Sequence, residues 1–328
     1  MAITNEIFAG NADHPAGPYG LGVRVPMLVV SPWSRGGWVN SQLFDHTSLI
    51  RFLEARFARQ HQSDLIETNI TPWRRTVTGD LTTAFDFKTP NASRRLALPS
   101  TTDFKPEDFD RHPDQVLVPP VPQAMPDQED GVRPARALPY TLDATATVQR
   151  SDGSFWIEFR NTGEATAVFH VRSGNNTDAP RTYTVEPHQH LNDSWSAAAN
   201  GGSAYDLSVY GPNGFYRAFT GVVAGNHGAF VDVRADYDRR DNSIALEIAN
   251  RAPRTAHISI FDRYTSRRTT LELGPGDSGT RSWSLARVSG WYDLKVTVDG
   301  DSQFTYRAAG HVENGEDSFS DPLMGGLI

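Results

Sequence analysis

The C-terminal half of the chain repeats itself, and this restricts its possible folds more than any other feature. "FRNTG" (159–163) and "IANRA" (248–252) each follow an alternating stretch, "FWIEF" or "IALEI". "HLNDSW" is then answered by "SGTRSW", "YDLSV" by "YDLKV", and "FYRAFTG" (215–221) by "FTYRAAG" (304–310). The offset is 89 residues from Asn161 to Asn250, 88 from Trp195 to Trp283 and 87 from Tyr205 to Tyr292. Four landmarks in one order at nearly one period mark a duplicated structural unit. Short stretches of alternating apolar and polar residues, broken by "GPNG", "GPGD" and "DGDS", form a strand-and-turn pattern. Each copy (141–225 and 226–328) is therefore expected to be a small antiparallel β-sandwich, large enough to fold alone.

The duplication also separates architecture from chemistry. His188-Gln189-His190 has a spacing that suggests a metal site. Aligning Pro187 with Pro275, however, sets His188 against Gly276 and His190 against Ser278. A position filled by Gly or Ser in its twin reads as a turn. Trp195/Trp283, Tyr205/Tyr292 and Asp206/Asp293 read as core and strand-start positions shared by both copies.

The N-terminal region, residues 1–104, has a different texture. In "VPMLVVSPWSRGGWVNSQLFDHTSLIRFLEARF" (25–57) a nearly continuous apolar run predicts a parallel strand covered on both faces. Gly36-Gly37 punctuates a loop, and from about Thr47 the spacing of Leu49, Ile50, Leu53 and Phe57 predicts a helix. Asp45, Thr47 and Ser48 are each suited to cap its start. One strand and one helix do not make a sheet. The expectation is a remnant of a larger α/β domain whose other strands lie outside this chain. Residues 60–140 read mostly as ordered connection. Within it, 105–140 is a Pro-rich connector containing "VPPVPQAMP", which favours extended backbone over long helices. The expected fold class is thus mixed: a partial α/β unit followed by two antiparallel β-sandwich repeats.

Composition narrows the function. Asp and Glu number 39 against 31 Lys and Arg, with no basic run, so a nucleic-acid partner is not expected. There is no cysteine, hence no disulfide or thiolate metal site. No apolar run approaches the roughly 20 residues that span a bilayer. "MAITNEIFAGNADHPAG" lacks the basic and apolar regions of an export signal, so none is expected.

Four stretches carry a resemblance: "YGLGVRVPMLVVSPWSRGGWV", "FDHTSLIRFLEARF", "TPWRRTVTGDLTTAFDF" and "PPVPQAMPDQEDGVRPARALPY". They resemble the end of the catalytic domain in bacterial phosphocholine-specific phospholipases C, relatives of an acid phosphatase group in the alkaline-phosphatase-like superfamily. The two repeats, closing with "HVENGEDSFSDPLMG", are similar to the paired C-terminal domains of those enzymes. The resemblance implies hydrolysis of phosphatidylcholine or sphingomyelin with release of phosphocholine. It also implies a divalent metal in the complete enzyme, a secreted or periplasmic location, and a phospholipid headgroup or membrane surface as partner. The family's hydroxyl nucleophile, early Glu-Asn metal pair and Asp-containing segment belong to sequence preceding the matched region. None of them is found between Met1 and Gly17, so no metal ligand is assigned in this chain. Further partners are the missing catalytic half or a secretion chaperone.

Among the residues present, His46 is the expected catalytic group, able to donate to a phosphoryl oxygen, with Asp45 orienting its imidazole. The helix start at Thr47 and Ser48 offers free N–H groups to a phosphate. Arg35 is suited to bidentate phosphate contact, and Trp33 and Trp38 to a choline ammonium. Trp73-Arg74-Arg75 pairs an amphipathic ring with two cations, suited to a phospholipid headgroup surface. Plainer readings stand beside these: Asp45 as a helix cap, Trp33 and Trp38 as loop packing, and Trp73-Arg74-Arg75 as a loop anchor with solvated charges. Two other functions stay open, a non-catalytic β-sandwich module binding lipid or a partner, and a related acid phosphatase.

Overall fold

The computed structural model describes residues 7–13, 16–18, 21–22, 24–61, 65–89, 129–174, 178–196, 204–223 and 230–328. The N-terminal part holds β1 (Ile7–Phe8), β2 (Gly17–Pro18), α1 (His46–His61), α2 (Pro72–Val77) and, after the connector, β3 (Pro134–Ala135). The first copy of the repeat supplies β4 (Leu142–Gln149), β5 (Ser154–Asn161), β6 (Ala167–Ser173), β7 (Arg181–Val185), β8 (Gln189–Ser196), β9 (Ala204–Tyr210) and β10 (Tyr216–Val222). The second supplies β11 (Val231–Asp238), β12 (Ser243–Asn250), β13 (Ala256–Asp262), β14 (Arg267–Leu273), β15 (Ser278–Ser284), β16 (Trp291–Val298) and β17 (Asp301–His311). The short β18 (Ser318–Phe319) pairs with β3.

Period-two burial explains the strands. In β5, Phe155, Ile157 and Phe159 are buried while Trp156 and Arg160 face out. In β12 the buried set is Ile244, Leu246 and Ile248. Each of these strands is central in a three-stranded antiparallel sheet, β4-β5-β8 or β11-β12-β15. The remaining strands do not form two separate layers. They join in one sheet of eight, ordered β14-β13-β16-β17-β10-β9-β6-β7, with four strands from each copy. A single apolar core runs beneath it through both copies.

The seam of this sheet is β10 against β17, where Arg217 faces Ala308 and Phe219 faces Tyr306. In the internal alignment Arg217 corresponds to Tyr306, and Phe219 to Ala308. Exchanging the copies therefore maps the seam onto itself, the pairing pattern of an isologous dimer within one chain.

Repeat landmarks acquire structural reasons. Asn161 and Asn250 are fully buried, and each ties the following turn to a neighbouring strand. Asn161 Nδ2 donates to the carbonyls of Ala165 and Val185, and its Oδ1 accepts from Gly163 N. Asn250 does the same with Arg254, Leu273, Gly274 and Ala252. His188 has φ +58° and its counterpart Gly276 φ +80°, both left-handed turn positions, as the alignment requires.

Two expectations need correction. Residues 24–30 form no strand, and Leu28 and Val30 are 90% and 96% exposed. A parallel strand forms only against neighbours, and among the described residues nothing pairs with this stretch. The α/β part of the expected fold is thus present only as its helix. The segment between α1 and the β-rich part is also more regular than a connection. Thr71 caps α2, accepting from Arg74 N at 3.2 Å, and Pro72 takes the first turn, where its missing N–H is harmless. Residues 90–128, which include most of the connector, lie outside the described residues.

Candidate functional site

The candidate residues lie in the loop before α1 and in its first turn. Asp45 is the helix cap. Its Oδ1 accepts from Thr47 N at 2.8 Å and Thr47 Oγ1 at 2.6 Å, and its own N–H donates to Ser48 Oγ at 3.1 Å. This is a capping box with Ser in place of the usual Glu, and it leaves Ser48 fully buried. The other carboxylate oxygen, Oδ2, accepts from Arg74 Nη1 at 2.7 Å. Burial works to raise the Asp45 carboxyl, but the Thr47 and Arg74 hydrogen bonds outweigh it and hold the group below its ordinary range. The partners of Asp45 are Thr47, Ser48 and Arg74; His46, the first helical residue, is exposed.

The rest of the loop is fastened to the chain around β3 and to the segment after α2. Val39 N donates to Pro134 O and Val39 O accepts from Arg136 N, at 2.8 and 2.9 Å. The Arg136 guanidinium lies over the Trp38 ring at 4.0 Å. Trp33 is half exposed, 5.9 Å from the Phe87 ring. Phe87 continues through Phe85 to Phe52 on α1, with centroids 5.3 and 5.1 Å apart. Ser34 Oγ donates to Val29 O at 2.9 Å, and Arg35 is half-buried between Ser34 and Gly36. The structure thus brings Asp45, Thr47 and Ser48 together and engages Trp38 and Trp33 with Arg136 and Phe87.

A third motif proves more organised than its sequence suggested. Trp73 is 2% exposed and packs with Val77 on Val168 of β6, on the outer face of the large sheet. Its indole donates to Thr184 Oγ1 at 2.9 Å. The neighbouring arginines are paired rather than solvated: Arg74 with Asp45, and Arg75 bidentately with Glu54 at 2.8 Å for both bonds. Arg75 pulls the Glu54 carboxyl down to about 2.

One Ser–His–carboxylate constellation escaped sequence reasoning because its members cluster only in the folded tail. His311 Nδ1 is 2.9 Å from Glu313 Oε1, and Nε2 is 3.1 Å from Ser318 Oγ, beside a cleft of about 200 Å³. It is not built as a nucleophile and base. Nε2 lies 2.7 Å from the Ser289 carbonyl, an acceptor, so its proton points there. The Ser318 hydroxyl is directed at the same carbonyl, at 2.9 Å. The group staples the C-terminal tail to the turn before β16. Glu313 extends the staple by accepting from Asn213 of the first copy at 2.8 Å.

No ligand of the implied divalent metal is assigned among the described residues. Among the described residues no three His, Asp or Glu side chains converge as a metal site would require. No helix among them is long and apolar enough to cross a membrane.

Comparison with known proteins decides the family. The "Bacterial phospholipase C, C-terminal domain" family matches residues 134–222 and again 231–311, together more than half of the chain. The chain belongs to the bacterial phospholipase C family. Its two matches reproduce the duplication seen in the sheet. The "Phosphoesterase family" matches residues 3–59, the region of the candidate site. "Non-hemolytic phospholipase C" of Burkholderia pseudomallei is 47% identical over 327 residues, covering 99% of this chain and 46% of the relative. "Non-hemolytic phospholipase C" of Pseudomonas aeruginosa is 41% identical, covering 94% of this chain and 44% of its own length. "Hemolytic phospholipase C" of the same organism is 36% identical, with 96% and 47% covered. This phospholipase C family chain therefore spans about half the length of the curated relatives it matches.

Proposed function

We propose that this chain forms the C-terminal part of a phospholipase C that hydrolyses phosphatidylcholine or sphingomyelin and releases phosphocholine. The observation that carries this reading is the state of α1. Its apolar face (Leu49, Ile50, Leu53 and Phe57) is 40–52% exposed, and most of the apolar stretch 24–30 is exposed as well. A contiguous apolar surface of this kind marks an interface. Its natural complement is the α/β layer that the twofold longer relatives have length to contain. Supplied with neighbouring strands, residues 24–30 become the parallel strand that their sequence pattern predicts.

In that assembly the start of α1 opens on the crevice at the carboxyl ends of the strands, where α/β folds bind ligands. His46 is free to donate to a phosphoryl oxygen or the leaving group, while Asp45 fixes the turn that presents it. Arg35 meets the phosphate, and Trp33 gives the choline ammonium an apolar wall. The nucleophile and the divalent metal belong to the α/β layer. Phospholipid at a membrane surface is the substrate, and a secreted or periplasmic location follows from that role.

The test is substrate choice by the chain when continuous with such a layer. A chromogenic phosphocholine ester is expected to be turned over in preference to a simple phosphomonoester, and His46→Ala to lower kcat by about a hundredfold or more. Preference for the monoester would point to a phosphatase. Vesicle binding without turnover would point to a lipid-binding module.

A further inference from the structure

We propose that α2 couples the first β-sandwich to α1, with Arg74 and Arg75 as positioning residues for the helix start that carries His46. This rests on the reading of that helix start given above.

The geometry has two ends. At one end Trp73 is sunk against Val168 of β6, and its indole N–H is held by Thr184 of β7. At the other, consecutive arginines reach α1 at two points nine positions apart. Arg74 takes Asp45, the cap, and Arg75 takes Glu54, more than two turns along. Arg75 Nη2 also donates to the Glu67 carbonyl at 2.7 Å, and the Glu67 amide donates to Glu54, closing a small ring of bonds. Arg51 of α1 reaches the carbonyl of Thr78, the residue that ends α2.

Among the described residues, the hydrogen bonds and ion pairs of α1 and its cap beyond the helix itself go to residues 67–78. The helix offers the sheet no apolar face of its own, since Leu49, Leu53 and Phe57 are exposed. Its polar anchoring to the β part therefore runs through α2, with the Phe52–Phe85 stack as an apolar contact beside it. The loop before it has a separate tether, Leu43 N to the Tyr140 hydroxyl at 3.1 Å, which holds the approach to the helix and not its axis. Two bidentate or charge-assisted anchors on one rigid helix fix both its place and its tilt. The sandwich thereby acts on the chemistry at a distance, by aiming the first turn of α1.

Hydrogen exchange on the 328-residue chain, with the ring resonances of His46 followed by NMR, tests the coupling. Trp73→Ala removes the sandwich end, Arg74→Gln with Arg75→Gln removes the helix end, and Arg74→Lys with Arg75→Lys keeps the charge. Trp73→Ala and the double Gln variant are each expected to speed exchange over residues 46–61 by about tenfold or more. Both should shift the His46 ring signals while amides of β5 and β12 stay as slow as in the unmodified chain. The double Lys variant is expected to recover most of the protection. Unchanged exchange of α1 in Trp73→Ala overturns the proposal. So does loss of protection in β5 and β12 together with α1, which would make Trp73 an ordinary core residue. His46→Ala leaves the coupling intact and should not alter exchange. Its effect on phosphocholine ester turnover, read in the chain continuous with the α/β layer, reports on the site reading separately, so either can fail without the other.

Discussion

At the scale of single residues, chemistry-bearing side chains in this chain are mostly committed to structure. Asn250 is the clearest case, a fully buried amide donating to three carbonyls and accepting one N–H. Asn250→Ala should destabilise the chain by about 1–3 kcal/mol, because those carbonyls lose a donor where water does not reach. Urea unfolding would measure it, and Asn161→Ala should act alike. Glu54 makes a pH prediction. Its carboxyl falls from an ordinary 4.5 to about 2 in the fold, so the Arg75 pair contributes fully above pH 4.5 and is lost as pH falls toward 2. Asp45 shifts the same way through Thr47 and Arg74. Protection of α1 amides, taken relative to intrinsic exchange at each pH, should therefore fall over that acid window while β5 and β12 keep theirs. The cap at Asp45 was legible in the sequence, because Asp followed by Thr and Ser at a helix start has a local reason. The Arg74–Asp45 pair was not, since 29 residues separate the partners and no periodicity relates them.

At the scale of elements, the repeat strands were readable because alternation and burial agree, as in β5 and β12. The duplication did not reveal how the copies meet. Each alone reads as a complete sandwich, and only the β10–β17 pairing merges four strands and four into one sheet. That seam encloses Arg217, fully buried, which donates to the carbonyls of Tyr216 and Ala309 and lies 4.4 Å from the Phe215 ring. Asp143 of β4 is its nearest carboxylate, at 3.5 Å. Arg217→Met is expected to destabilise by about 3–5 kcal/mol, by leaving Asp143 uncompensated and two carbonyls without donors. A single shared unfolding transition in calorimetry would accompany it, whereas two separable transitions would show that the copies are independent. The stretch 24–30 misled for a physical reason. Its apolar pattern records what the segment packs against, and that surface is not supplied by the described residues.

At the scale of the whole molecule, the proposed function makes the chain a positioning platform joined to one edge of a catalytic unit. The duplicated β part carries the family match and the continuous core. The N-terminal part carries the phosphoesterase match, an exposed apolar helix face, and the histidine on which the proposed chemistry rests. Stability and site geometry meet in α2, which explains why a motif between the two recognisable regions holds a buried tryptophan and two paired arginines. Under the proposed function the reacting groups are divided between this chain and an α/β layer outside it. The most direct measurement is turnover of a chromogenic phosphocholine ester by the purified 328-residue chain, with and without added divalent metal. No turnover above the buffer rate is predicted under either condition. Hydrolysis by the chain alone, abolished by His46→Ala, would contradict it.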